Sequence, residues 1–296
     1  MKHPTSTVLV LLILFFSAQA IGMLVLNSYI DTAATAESGV TTYRVLPGGI
    51  ERPEGSPSSV LFLIIGSVLV GTILLLFIIK FRRFGLWKIW YFLAVSLSLG
   101  IAWSAFIPSK IAGAAAVVAA SIKVLRPNFI IHNLTELFIY SGLAVIFAPV
   151  LNIATAIALL LLISVYDMYA VWKSKHMVSM AKFQSSSSLF AGISVPRKLS
   201  SFRAVPAPSS KKTKAIPVTE SIAVIGGGDI GFPLLFAGVA MSQFGFAQTF
   251  VIPVFATLAL AVLFLFSKKG KFYPAMPFVT AGCLLGYGLL LLQAQI

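Results

Sequence analysis

The sequence has 296 residues, of which 58% are hydrophobic and only 10% are charged. Soluble domains carry about 25% charged residues, so this composition excludes an ordinary soluble protein. The formal net charge of +14 does not indicate nucleic acid as a partner, because the basic residues lie between apolar runs and not in one stripe interleaved with aromatic residues. The single cysteine and the three scattered histidines lack the spacing of metal ligands, so we expect no metal and no other cofactor.

Nine apolar runs follow one another along the chain, and most of them approach the roughly 20 residues that a helix needs to cross a bilayer. Lipid cannot satisfy free backbone groups, so each run should be helical. The predicted fold class is therefore an all-α integral membrane protein with about nine transmembrane helices. The predicted spans are 7–26, 58–79, 86–107, 110–122, 134–148, 151–172, 221–242, 247–266 and 274–294.

The first run raises the question of a cleaved signal peptide. Ala18-Gln19-Ala20 resembles a signal-peptidase site after a short apolar core. However, the run stays apolar as far as Leu26, and only Lys2 precedes it as a basic residue. These features favour a retained first span.

The distribution of lysine and arginine predicts the orientation. Nineteen of the 22 basic residues fall in alternate connections on one face, and three fall on the other. The N-terminus is therefore expected in the cytoplasm and the C-terminus outside. The chain divides into a six-span part (1–172), a flexible basic cytoplasmic loop (173–220) and a three-span part (221–296). The loop is interpreted as a solvated tether near anionic lipid head groups, with a lid or a self-cleaved segment as the alternative.

Two aspartates stand apart from the other six acidic residues. Four of those six lie in the first external loop, while Glu136 and Glu220 lie near span ends, where we expect them to reach water. Asp167 and Asp229 lie inside apolar runs, where an ionisable side chain costs at least a few kcal/mol. An intramembrane carboxylate of this kind indicates a functional site.

The two aspartates are predicted at similar depths, roughly 7 and 12 Å from the cytoplasmic face, on adjacent antiparallel helices. Two close carboxylates in a site of low dielectric constant cannot both ionise cheaply, so one should keep its proton. One base and one acid around a shared water molecule is the arrangement of aspartic proteases. The pair Asp167 and Asp229 thus predicts peptide-bond hydrolysis.

Gly226, Gly227 and Gly228 immediately precede Asp229. Glycines let backbone and water approach closely and loosen a helix, which suits a site where a helical substrate must be unwound. Alone, they would indicate only close helix packing.

The last span opens with Pro274, Ala275, Met276 and Pro277. Two prolines three residues apart keep the preceding chain extended at a helix start, and such a segment can border a site and offer an edge to an extended substrate. Alone, it would indicate only a helix N-terminus.

These motifs, in this order and separated by a long loop, resemble those of the GxGD intramembrane aspartyl proteases, the presenilin and signal peptide peptidase family. The matching residues are Tyr166-Asp167 for YD, Gly226-Gly227-Gly228-Asp229 for GxGD and Pro274-Ala275-Met276 for PAL, with methionine where the family usually has leucine. The cytoplasmic N-terminus is similar to that of presenilin, and the compact length suggests a microbial, archaeal homologue in a prokaryotic cell membrane.

The resemblance implies that Asp167 and Asp229 are catalytic. It implies supporting or substrate-binding roles for the residues around them, which are Tyr166, Gly226, Gly227, Gly228, Pro274, Ala275, Met276 and Pro277. The implied partners are membrane lipid and single transmembrane helices cut near the cytoplasmic face, and the chain either acts alone or forms a homo-oligomer.

Two rival functions remain at this point. Ion-coupled secondary transporters also use intramembrane carboxylates and broken helices, although their two similar halves are not evident here. Prepilin peptidases share a GxGD element, but the Pro274 motif argues against them.

Overall fold

The structure, a computed structural model, describes residues 4–81, 83–174, 180, 183, 189–196, 222–267 and 272–295. The helices, in chain order, are α1 (Thr5–Ser28), α2 (Thr32–Ser38), α3 (Pro57–Lys80), α4 (Phe84–Trp103), α5 (Ser109–Leu125), α6 (Phe129–Phe147), α7 (Ile153–Met168), α8 (Gly227–Phe244), α9 (Phe246–Thr249), α10 (Val251–Phe266) and α11 (Met276–Gln293). Two strands, β1 (Gly192–Pro196) and β2 (Ile222–Gly226), form an antiparallel pair before α8.

Every predicted span coincides with helix over most of its length, which confirms a mostly helical multi-pass membrane protein. Seven helical segments of the described chain are long and apolar enough to cross a bilayer. Of the nine predicted spans, two are outside that group: the span of α5, with 17 residues, and that of α8, which carries several glycines and an aspartate. The count of nine spans and their orientation therefore stay predictions.

The predicted span 221–242 does not begin as a helix. Ile222–Gly226 is a strand, and α8 starts only at Gly227. Isoleucine and valine favour extended backbone, and Ala223 and Ile225 are buried while Val224 between them is exposed, which is the period of a strand. The helical prediction was wrong for these five residues, because a short apolar run does not distinguish a buried strand from a helix.

The predicted flexible loop 173–220 also contains ordered structure. Its residues Gly192–Pro196 form β1 and are buried, so the prediction of a structureless tether was wrong there. Most of that loop, including Glu220, lies outside the described residues.

α8 lies at the centre of the molecule. It packs against α1, α6, α7, α10 and α11, and its segment from Pro233 to Met241 is buried throughout. α11 approaches α10 closely through two glycines four residues apart: a Cβ on Gly286 would lie 2.9 Å from the Ile252 Cα atom, and one on Gly282 would lie 2.9 Å from that of Ala256. Small residues at this spacing let membrane helices meet backbone to backbone. This packing fixes α7, α8 and α11 around one site.

Candidate active site

Asp167 lies at the C-terminal end of α7, where the α-helix changes to a π-helical turn at Tyr169–Lys173. The side chain is only 3% exposed. Its Oδ2 accepts a hydrogen bond of 3.1 Å from the backbone N–H of Met276, the first residue of α11. The carboxyl group of α7 is therefore held by the N-terminus of another helix.

Asp229 lies in the first turn of α8 and is also buried. α7 packs against α8, so the two buried aspartates lie on neighbouring helices. Asp229 is the ninth residue of the predicted span 221–242 but only the third residue of α8, because β2 occupies the residues before Gly227.

The three glycines before Asp229 differ in what surrounds them. A Cβ on Gly226 would lie 3.2 Å from Oδ2 of Asp229, and one on Gly227 would lie 2.7 Å from the hydroxyl of Tyr140. A Cβ on Gly228 would meet only the ring of Phe232 at 3.5 Å, an ordinary contact. Lack of a side chain is thus required most at Gly227, where α6 comes closest to the turn from strand to helix.

The residues of the PAL-like motif lie beside Asp167. Ala275 is the N-cap of α11, Met276 supplies the backbone donor, and Pro277 occupies the first turn, where a missing N–H costs little. Pro274 and Met276 are buried. The motif therefore contacts the aspartate through its backbone.

Tyr166 points elsewhere. Its hydroxyl forms a hydrogen bond of 2.8 Å with Oγ1 of Thr72 in α3. This contact ties the end of α7 to α3. The structure thus brings Asp167, Asp229 and Met276 together, while the Tyr166 hydroxyl makes a helix-to-helix contact.

A second polar contact joins the helices of Asp167 and Met276. The hydroxyls of Ser164 and Thr280 lie 2.8 Å apart and are buried between α7 and α11. Ser164 precedes Asp167 by three residues, so this hydrogen bond lies about one helical turn below the site.

The expectation that Glu136 reaches water was wrong. Glu136 is 1% exposed and forms an ion pair of 2.6 Å with Lys123, which is equally buried. Glu136 lies near the end of the predicted span but does not reach water, because β1 packs against α6 there.

Sequence reasoning missed a group of polar residues on α6 that contact β1 and the start of α8. His132, Asn133 and Glu136 hydrogen-bond to the backbone of β1, and Tyr140 lies against Gly227. The signal was present in the spacing: positions 132, 133, 136 and 140 fall on one face of a helix. Polar residues repeated on one face of an apolar helix indicate a buried polar partner.

The comparisons with known proteins identify the family and the fold. The sequence profile of the family described as signal-peptide peptidase, presenilin aspartyl protease matches residues 10–296. Two crystal structures of a presenilin family intramembrane aspartate protease share the fold. The one in space group P2 has a TM-score of 0.60 at 21% identity, covering 96% of this chain and 97% of the other. The one in space group C222 has a TM-score of 0.58 at 20% identity, with coverages of 95% and 97%. No curated protein matches the chain at a significant level.

Proposed function

Since the chain belongs to the signal-peptide peptidase and presenilin family of intramembrane aspartyl proteases, we propose that Asp167 and Asp229 form its catalytic dyad and hydrolyse peptide bonds within transmembrane helices. The observation that carries the proposal is that two buried aspartates lie on α7 and α8, two helices that pack against each other. Placing two carboxyl groups inside a membrane protein is costly, so their presence favours a chemical role.

In the proposed reaction, one aspartate is ionised and the other is protonated. The ionised carboxylate takes a proton from a water molecule, whose oxygen attacks the carbonyl carbon of the scissile bond. The protonated carboxyl group gives its proton to the carbonyl oxygen, so a neutral diol forms. As the C–N bond breaks, the aspartate that took the proton from water gives it to the leaving nitrogen, and the other aspartate takes a proton from a hydroxyl of the diol. The products are a carboxylic acid and an amine, and each aspartate regains its starting protonation state.

The supporting roles follow from the contacts of the described residues. Met276 holds Asp167 in one orientation through its backbone N–H, and Pro274, Ala275 and Pro277 shape that helix start. At the strand-to-helix turn, Gly226 leaves room for the Asp229 carboxyl group and Gly227 leaves room for the Tyr140 hydroxyl, while Gly228 borders the ring of Phe232. We extend the proposal to helical membrane-protein substrates, cut near the face that the basic residues mark as cytoplasmic, and to the cell membrane of a prokaryote.

Neither the family nor the fold similarity supports the secondary-transporter alternative. The prepilin peptidase alternative likewise loses its basis, because the matching profile is that of the signal-peptide peptidases and presenilins over residues 10–296.

The test is cleavage of a single-span helical substrate by the purified chain in liposomes. Asp167→Asn and Asp229→Asn each keep the size of the side chain and remove the carboxyl group, so cleavage should fall below detection while the protein stays folded. Glu37→Gln is the matched control, since Glu37 lies exposed on α2 and should not affect the rate. Cleavage that persists in either aspartate variant would refute the dyad.

A further inference from the structure

The outer edge of β1 is closed by side chains of α6. One edge of β1 pairs with β2, in the register that places Ile193 opposite Ile225. On the other edge, the N–H of Gly192 donates to Oε2 of Glu136 at 3.1 Å, and its carbonyl oxygen accepts from Nε2 of His132 at 2.8 Å. These bonds satisfy both backbone groups of Gly192.

Asn133 binds both backbone groups of Ser194, two residues further along β1. Its Oδ1 accepts from the N–H of Ser194 at 3.0 Å, and its Nδ2 donates to the carbonyl oxygen of Ser194 at 2.7 Å. We call His132, Asn133 and Glu136 the strand clamp. Its three side chains take the place of a neighbouring strand along the edge of β1.

The clamp depends on a fully buried ion pair. Lys123 donates to Oε1 of Glu136 at 2.6 Å, to Oγ1 of Thr135 at 2.7 Å and to the carbonyl oxygen of His132 at 3.2 Å. An ammonium group has three donors, so all of them are satisfied. Burying both charges costs desolvation energy, so a buried ion pair often adds little to stability and serves to fix the positions of its two side chains. The ion pair therefore fixes the direction of the Glu136 carboxylate.

Two routes lead from Glu136 to Asp229. The first runs through the sheet, because β1 pairs with β2, β2 ends at Gly226, and the N–H of Gly227 donates to the carbonyl oxygen of Ala191 at 3.0 Å. The strand clamp thus holds the backbone that leads into α8.

The second route runs through Tyr140. Its hydroxyl donates to Oε2 of Glu136, and its ring lies against Gly227 and Gly231, on either side of Asp229. A shift of the Glu136 carboxylate would therefore move the ring that packs against the first turn of α8.

We propose that Glu136 is a positioning residue that sets the orientation of Asp229 through β1 and through Tyr140. This inference rests on the proposed function of the dyad. It assigns to Glu136 no contact with substrate or with the attacked carbonyl group. Its effect is on catalysis, because a small misplacement of a reacting group lowers the rate much more than it lowers binding.

The test measures kcat and KM for the helical substrate in liposomes, together with binding of a hydroxyl-bearing transition-state analogue and the thermal midpoint of unfolding. The first variant is Lys123→Met with Glu136→Leu, which removes both charges together and leaves none unpaired. The second is Tyr140→Phe, which removes one hydroxyl and keeps the ring. The matched control is Tyr29→Phe, which removes a buried hydroxyl that donates to the carbonyl oxygen of Ile101 at 2.7 Å, beyond the end of α1 and distant in sequence from the dyad. Burial raises the pKa of Tyr29 to about 12, so its neutral state does not change in the assay.

We expect kcat to fall about tenfold or more in the double variant and severalfold in Tyr140→Phe, with KM nearly unchanged and with weaker analogue binding. Tyr29→Phe should keep its kcat. If the double variant does not fold, the kcat of Tyr140→Phe alone tests the inference. A kcat in the folded variants equal to that of Tyr29→Phe would overturn the inference, as would a loss confined to the thermal midpoint. Cleavage by the unmodified chain, run in parallel, tests the proposed function separately.

Discussion

The backbone N–H of Met276 donates a hydrogen bond of 3.1 Å to Oδ2 of Asp167, so the first turn of α11 holds the carboxyl group of α7. The donor belongs to the backbone and lies at a helix N-terminus, where N–H groups have no partner within their own helix. The side chain at position 276 packs but does not make this bond. Methionine in place of the usual leucine is therefore compatible with the contact.

Met276 offers a direct test of this contact. Met276→Leu should keep kcat within about threefold, because hydrophobic exchanges of similar volume are tolerated. Met276→Pro removes the N–H at the first helical position and should lower kcat roughly tenfold to hundredfold, the worth of a hydrogen bond to a charged group. The proline also disfavours the αR backbone of Ala275 before it, which adds to the loss. The measurement is kcat for the helical substrate, with the thermal midpoint confirming that both variants are folded. An unchanged kcat in Met276→Pro would show that the bond is dispensable.

Gly227 is predicted to be the least replaceable glycine of its motif. In Gly227→Ala the new Cβ would lie 2.7 Å from the Tyr140 hydroxyl, which its bond to Glu136 holds in place. We expect a destabilisation of about 1–3 kcal/mol from overpacking, with a lower kcat. Gly113→Ala is the control, since a Cβ there meets nothing within 4 Å. Thermal unfolding and cleavage of the two variants should differ, and equal values would contradict the close approach.

The helices and the two aspartates were predictable because each carries a local signal. An apolar run of about 20 residues indicates a span wherever the rest of the chain lies, and a carboxylate inside such a run is costly in any membrane fold. Asp167 and Asp229 thus stood out before any tertiary contact was known. Their hydrogen-bond partners did not, because Met276 lies 109 residues from Asp167.

The sheet and the strand clamp depend on contacts that no local pattern contains. Ile222–Gly226 becomes a strand only because Gly192–Pro196, some thirty residues earlier, pairs with it. Glu136 was expected to reach water because it lies near the end of an apolar run, yet the fold buries it against Lys123 and β1. Contacts between distant segments decide both the strand and the burial of Glu136. In a single sequence, the only indication of such contacts is a spacing such as that of residues 132, 133 and 136.

The hydroxyl pair between α7 and α11 should contribute measurably to stability. A double-mutant cycle with Ser164→Ala and Thr280→Val should give a coupling energy of about 0.6 kcal/mol, the average for polar contacts between membrane helices. Ser121→Ala is the control partner, because its hydroxyl donates to a carbonyl oxygen of its own helix, that of Val117, at 2.7 Å. The cycle is read from unfolding midpoints in detergent. Coupling of Thr280 to Ser121 as strong as its coupling to Ser164 would refute a specific contact.

The dyad predicts a rate that depends on pH in both directions. Catalysis needs one ionised and one protonated carboxyl group, so kcat should fall at low pH, where the base is lost, and at high pH, where the acid is lost. The measurement is kcat in liposomes with the same buffer inside and outside, over the range in which the thermal midpoint stays constant. Binding of the hydroxyl-bearing analogue should follow the same profile, because it senses the same protonation state without turnover. A kcat that stays flat across this range would mean that Asp167 and Asp229 do not share one proton, and the water-attack mechanism would fail with it.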